Sequence, residues 1–138
     1  MQYITIKRFK RNGIGGQFNI PYGTPLEMHT DGVIYYKGSP VCAAKSAASH
    51  EHFARDDDGN GLQRGRLSHA IVDALDPANF DSPQQHNEAW QVIWNDPLTQ
   101  KYRRTDHLDT WLWNDDFFIA PIEDLKYIAV LVGIKVLH

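Results

Sequence analysis

The stretch Asp31-Gly32-Val33-Ile34-Tyr35-Tyr36-Lys37-Gly38-Ser39-Pro40-Val41-Cys42-Ala43-Ala44 decides the fold of the first third of this chain. Asp31-Gly32 is a hairpin signal, because these residue types tolerate the positive φ that tight turns between twisted strands require. Val33–Tyr36 is a run of β-branched and aromatic residues, the returning strand. Gly38-Ser39-Pro40 turns the chain again into a strand at residues 41–44. Upstream, Leu26-Glu27-Met28 is a short strand, and Pro21, Gly23 and Pro25 punctuate the turn before it. Phe18 and Ile20 alternate after Gly13-Ile14-Gly15-Gly16, which reads as a flexible turn, too short for a phosphate loop and followed by no helix. Residues 3–11 alternate throughout: Ile4, Ile6 and Arg8 face one way, Tyr3, Thr5, Lys7 and Phe9 the other. Short strands at a spacing of roughly 8–12 residues predict an antiparallel sheet or small barrel over about residues 3–45.

Beyond residue 45 the pattern becomes helical. Residues 46–54 are alanine-rich without a β-branched side chain. Leu67, Ile71, Ala74 and Leu75 recur at helical spacing, so residues 62–75 form an amphipathic helix that Asp76-Pro77 ends. Ser82-Pro83-Gln84-Gln85 combines an N-cap serine, a proline at the first helical position and a glutamine at the third. The helix it opens runs to about Trp94 and stacks Trp90 on Trp94. Residues 97–104 make one more short helix, and alternation of Trp111 with Trp113 and of Phe117 with Ile119 predicts extended chain. Pro121 opens a last helix, with Glu123 and Asp124 at its positive end and Gly133 just past its close. Residues 127–137 also alternate, so strand competes with helix there. The expectation is a single α+β domain over residues 1–138, with the N-terminal sheet packed with three to four helices.

Composition narrows the class. The 138 residues are 42% apolar and 22% charged, which is globular rather than disordered. Cys42 stands alone, so no intrachain disulfide forms, and a reducing, cytoplasmic setting is expected. The chain opens on a strand pattern rather than a signal-peptide apolar block. The longest apolar run, residues 127–134, falls well short of the roughly 20 residues of a spanning helix, so no membrane partner is expected. The net charge of −3 is uneven: residues 1–45 carry six Lys/Arg against two acids, a net +4, and the remainder carries −7. A basic end can face nucleic acid, or can simply pair with the acidic remainder.

Asp56-Asp57-Asp58-Gly59-Asn60-Gly61 matches the opening of an EF-hand loop, with Asp56, Asp58 and Asn60 at positions 1, 3 and 5 and Gly61 at the turn. Position 12, where a bidentate glutamate belongs, is Leu67. Arg55, Arg64 and Arg66 add positive charge around it. Calcium is the one cofactor this loop could hold; an ordinary solvated turn has the same composition. His50-Glu51-His52 and Asp106-His107-Leu108-Asp109 offer ligand types for a metal-dependent hydrolase, but not the spacing of a zinc protease. Cys42 in an apolar strand reads as a buried thiol. No nucleophile or dinucleotide motif is present.

Two basic clusters carry aromatics. Lys7, Arg8, Lys10 and Arg11 flank Phe9, and Lys101, Arg103 and Arg104 flank Tyr102. Cations for phosphates beside rings for bases are what a nucleic-acid surface needs; an exposed strand guarding a sheet edge looks alike. Trp90, Trp94, Trp111 and Trp113 form a helical core, or, where exposed, a protein-binding or homodimer patch rimmed by Asp106, Asp109, Asp115 and Asp116.

Three segments, residues 15–24, residues 53–61 and the ending from Asp115 to Tyr127, resemble small proteins encoded in phages and prophages of Gram-positive bacteria. The resemblance spans most of the chain and carries no catalytic motif. It implies a non-enzymatic accessory or interaction module in the cytoplasm of a bacterial host.

Overall fold

In a computed structural model of the chain, which describes residues 1–104 and 113–134, Lys37 and Gly38 both take left-handed backbone, at φ of 50° and 80°. That makes a two-residue primed turn, whose twist matches the strands it joins. The turn is therefore Lys37-Gly38, one residue before the expected Gly38-Ser39-Pro40. Ser39 and Pro40 already belong to the strand that follows.

Chain contacts divide the protein into two compact units, Met1–Arg66 and Leu67–His138. The first holds the strands β1 (Gln2–Thr5), β2 (Phe9–Gly13), β3 (Gly16–Ile20), β4 (Pro25–Met28), β5 (Val33–Tyr36) and β6 (Ser39–Ala43), then helix α1 (Ala47–His52) and strand β7 (Phe53–Arg55). Five strands form one antiparallel sheet in the order β6-β5-β4-β1-β7, and β2 and β3 form a separate hairpin. The sheet is open, with β6 and β7 at its edges, so the barrel alternative is not realised.

Two local readings change. Residues 3–11 are not one strand: β1 stops at Thr5, and the Ile6 and Lys7 amides both turn to the carbonyl of His52, at 2.7 and 3.3 Å. The helix expected at residues 46–54 ends at His52, and Phe53, Ala54 and Arg55 pair with Thr5, Ile4 and Tyr3. Burial of Phe53 and Ala54 against a strand 50 residues away outweighs the local helix preference. Tyr3, Thr5 and Phe9 are buried. Ile4 and Ile6 meet helix α2 (Gly61–Ala74) at its two glycines: a Cβ on Gly61 would stand 2.5 Å from Ile4 Cγ2, and one on Gly65 2.7 Å from Ile6 Cγ2.

The second unit is built around helices. After α2, Asp76 caps a 3-10 turn at Pro77–Asn79. Helix α3 (Pro83–Trp94) is capped as its sequence predicts by Ser82, whose Oγ accepts from the Gln85 amide at 3.2 Å, while Gln85 Oε1 reaches one residue beyond the cap and accepts from the Asp81 amide at 3.1 Å. A second 3-10 turn spans Thr99–Tyr102. Helix α4 (Asp115–Phe118) stands where alternation predicted extended chain, because Asn114 caps it and Asp115 and Asp116 fill its first turn. Helix α5 (Ile122–Val132) resolves residues 127–132 as helix, closed by Gly133 at φ 94°; residues 135–137 lie outside the described residues. The described residues thus hold five α-helices, against the three to four expected, the additions being short. The core of this unit gathers Leu67, Ile71, Trp90, Trp94, Phe117 and Leu125. No helix among the described residues is long and apolar enough to cross a membrane.

Candidate nucleic-acid interface

The β2–β3 hairpin has two chemically different faces, set by its register. Phe9 pairs with Ile20 and Arg11 with Phe18 on one face; Lys10 pairs with Asn19 and Asn12 with Gln17 on the other. Phe9 and Ile20 are 1% and 0% exposed. The Phe9 ring stacks on Phe53 at 5.4 Å and meets the His52 ring edge-on at 4.9 Å. Apolar burial of this kind anchors the hairpin to its unit. On the opposite face Lys10, Asn12, Gln17 and Asn19 are all exposed. A groove of 480 Å³ lies along the hairpin, lined by these four residues with Arg11 and Phe18.

The hairpin tip is held as well. Ile14 donates its amide to Val41 O at 2.9 Å and Gly15 donates to Pro40 O at 2.7 Å. Val41 is free to accept because it is the extra residue of a bulge: Ile34 faces Cys42 while the next residue, Tyr35, faces Pro40. A Cβ on Gly13 would lie 2.5 Å from Val41 O, so glycine is required for this approach. The turn expected to be flexible is pinned by backbone hydrogen bonds.

The five residues singled out as nucleic-acid-binding separate. Lys7 Nζ pairs with Glu51 at 2.8 Å, and this bond holds the Glu51 carboxyl below its ordinary value. Phe9 is enclosed and cannot stack on a base. Arg8, Lys10 and Arg11 are exposed, and no ion pair joins them to a carboxylate among the described residues. Arg8 Nη1 donates to Asn19 Oδ1 at 2.8 Å, and the Arg11 guanidinium sits 5.9 Å from the Phe9 ring centre. Residues 1–66 carry nine Lys/Arg against six Asp/Glu, a net +3, whereas residues 67–138 carry five against eleven, a net −6. Asn12, Gln17 and Asn19 were not singled out in the sequence. The signal for them is the pair Gly13 and Gly16, which flank a two-residue turn and so set Asn12 opposite Gln17.

The calcium-loop residues are occupied in building the start of α2. Asp56 Oδ1 accepts from the Gly61 amide at 2.8 Å. Asp58 Oδ1 accepts from the Asn60 amide at 3.0 Å, and its Oδ2 pairs with Arg64 at 2.6 Å. Asn60 O accepts from the Arg64 amide at 2.8 Å. Leu67, at the position of the missing glutamate, is buried in the core. Among the described residues no group of three His, Cys, Asp or Glu side chains is placed to hold a metal ion. Of the histidine pair, His52 is buried with Nδ1 3.2 Å from Lys7 O; Asp106, His107 and Asp109 lie outside the described residues. Burial pushes the Cys42 thiol up.

Of the tryptophans, Trp90 and Trp94 are 4% and 5% exposed and stack at 5.2 Å. Half-buried Trp113 stacks on Phe117 at 4.2 Å. Trp90 and Trp94 therefore belong to the core and offer no docking surface; Trp111 lies outside the described residues. No family model, curated protein or solved structure matches this chain.

Proposed function

We propose that the chain is a non-enzymatic binding module, an accessory protein of a phage or prophage in the cytoplasm of its bacterial host, and that it engages nucleic acid through the β2–β3 hairpin. One observation carries this reading: Lys10 and Arg11 on the anchored ribbon, and Arg8 just before it, are exposed and form no ion pair with a carboxylate among the described residues. Unpaired cations on a rigid strand pair neutralise phosphates and release their counterions, which is the main sequence-independent source of affinity for nucleic acid. The resemblance to phage-encoded proteins supports the biological setting. The excess of basic residues in residues 1–66 supports attraction of a polyanion.

The test is fluorescence anisotropy of a labelled 20-base-pair DNA, of about that length, titrated with the protein from about 50 to 200 mM salt. Affinity is expected to fall steeply with salt. The double variant Arg8→Glu/Arg11→Glu, checked for an unchanged melting temperature, is expected to flatten the log–log slope by roughly two. Absence of binding to DNA or RNA at about 50 mM salt overturns the reading.

A further inference from the structure

We infer that the outer face of the β2–β3 hairpin reads base edges in the major groove of duplex DNA, with Lys10, Asn12, Gln17 and Asn19 as the reading residues. The inference rests on the nucleic-acid function proposed above and specifies its ligand.

Three features of the hairpin lead there. The first is side-chain chemistry. The open face presents two asparagines, a glutamine and a lysine in two facing pairs, Lys10 with Asn19 and Asn12 with Gln17. Backbone contact needs only charge, whereas carboxamides supply a donor and an acceptor side by side. Asn and Gln match the N6/N7 edge of adenine in this way, and Lys matches O6/N7 of guanine. The Arg8 bond to Asn19 Oδ1 orients that amide, leaving its NH₂ group to donate outward.

The second is dimension. Neighbouring strands lie about 4.8 Å apart, so a two-stranded ribbon with its side chains enters the major groove of B-DNA, about 12 Å wide. Successive outward pairs along an antiparallel strand are about 6.8 Å apart, twice the roughly 3.4 Å rise of a base-pair step. The two facing pairs thus sample bases two steps apart. Arg8, exposed just before β2, and Arg11, which belongs to the Phe9 face of the strand but is exposed and lines the groove, are available for the flanking phosphates.

The third is that none of the outward register positions 10, 12, 17 and 19 carries an aromatic ring. Single-stranded nucleic acid is held on exposed stacking platforms. Phe9 is 1% exposed, and Phe18 turns its ring edge-on toward Phe9 at 6.4 Å and Tyr36 at 6.5 Å. An RNA duplex is also disfavoured, because its deep, narrow major groove does not admit side chains.

The experiment uses the full chain in three arms. Selection from a pool of randomised DNA duplexes is expected to enrich a short sequence bound about tenfold or more tighter than the starting pool. The wild-type protein is expected to bind that duplex tighter than the RNA duplex or the single strand of the same sequence. Asn12→Ala/Gln17→Ala, at two exposed positions and with melting temperature verified, is expected to abolish the sequence preference while leaving salt-sensitive binding to the random pool. Failure to enrich any sequence, or equal or tighter binding of the RNA duplex or single strand, overturns this inference and leaves the phosphate-binding function standing. Loss of all nucleic-acid binding at about 50 mM salt overturns both. A sequence preference that survives Asn12→Ala/Gln17→Ala and a matching Lys10→Ala/Asn19→Ala pair also overturns the assignment to this face.

Discussion

Arg64 donates through Nη2 to Asp58 Oδ2 at 2.6 Å although only 2% of the arginine side chain is exposed. It also donates to the carbonyl of Arg55, so the guanidinium ties the strand before the acidic loop to the helix after it. Removing the carboxylate takes the charged partner away from a buried guanidinium. Asp58→Ala is expected to cost about 1–3 kcal/mol in urea unfolding. The Arg64 hydrogen bond holds the Asp58 carboxyl below its ordinary value, so its stabilisation is full above about pH 4 and is lost as pH falls through the lowered folded value. Wild-type protein is therefore expected to lose more stability than Asp58→Asn on acidification below about pH 4. Parallel slopes for the two proteins would refute the assignment.

The same bonds bear on calcium. A cation bound by Asp56, Asp58 and Asn60 would compete with the Gly61 amide for Asp56 and with Arg64 for Asp58. Chelator-stripped protein is expected to melt at the same temperature with and without millimolar calcium. A saturable rise that Asp58→Ala abolishes would show that the ion displaces Arg64.

At the hairpin tip, Gly13→Ala places a methyl group against the backbone oxygen of Val41, which cannot swing aside. The expected cost is about 1–3 kcal/mol. Hydrogen exchange at the Ile14 and Gly15 amides should accelerate relative to that of the main sheet, because those two bonds to β6 are the first to be lost. Unchanged protection would mean the tip absorbs the methyl group without undocking.

Lys37 occupies a left-handed position that asparagine tolerates far better. Its ammonium also lies 5.3 Å from the Tyr36 ring centre, an exposed contact of about 0.5–1 kcal/mol that the substitution removes. Lys37→Asn is expected to stabilise the protein by roughly 0.5 kcal/mol, read as a small rise in melting temperature.

Trp90→Ala removes a ring from the stacked core and is expected to cost about 3–5 kcal/mol. DNA affinity of the protein that remains folded is expected to be unchanged. A specific loss of binding in well-folded Trp90→Phe would instead return the tryptophans to a recognition role.

Much of this fold is legible where one residue decides a local geometry. Ser82 and Pro83 open α3, Pro121 and Gly133 bracket α5, and Asp76 with Pro77 closes α2 because each acts on its own backbone neighbours. Asn114 with Asp115 and Asp116 carried the same kind of signal for α4, masked by the alternating aromatics around it. What is not legible depends on distant partners. Phe53, Ala54 and Arg55 become a strand only because β1 lies beside them, and residues 3–11 break because two amides turn to His52. The cationic run was visible, but not that Phe9 within it is buried by Phe53 and His52. The amide face carries no sequence signal of its own, because Asn12, Gln17 and Asn19 are uncharged and only the pairing of β2 with β3 gathers them on one side.

The docked tip has a consequence for the solution behaviour of the chain. An edge strand with unpaired carbonyls is a template on which another copy can grow a sheet. On β6 the outward carbonyls of Pro40 and Val41 are already taken by Gly15 and Ile14, and Pro40 has no amide hydrogen to offer. At the other edge β7 is only three residues long. The same two hydrogen bonds that steady the hairpin thus cover part of one edge of the main sheet, which limits cross-strand polymerisation of the chain even when it is concentrated.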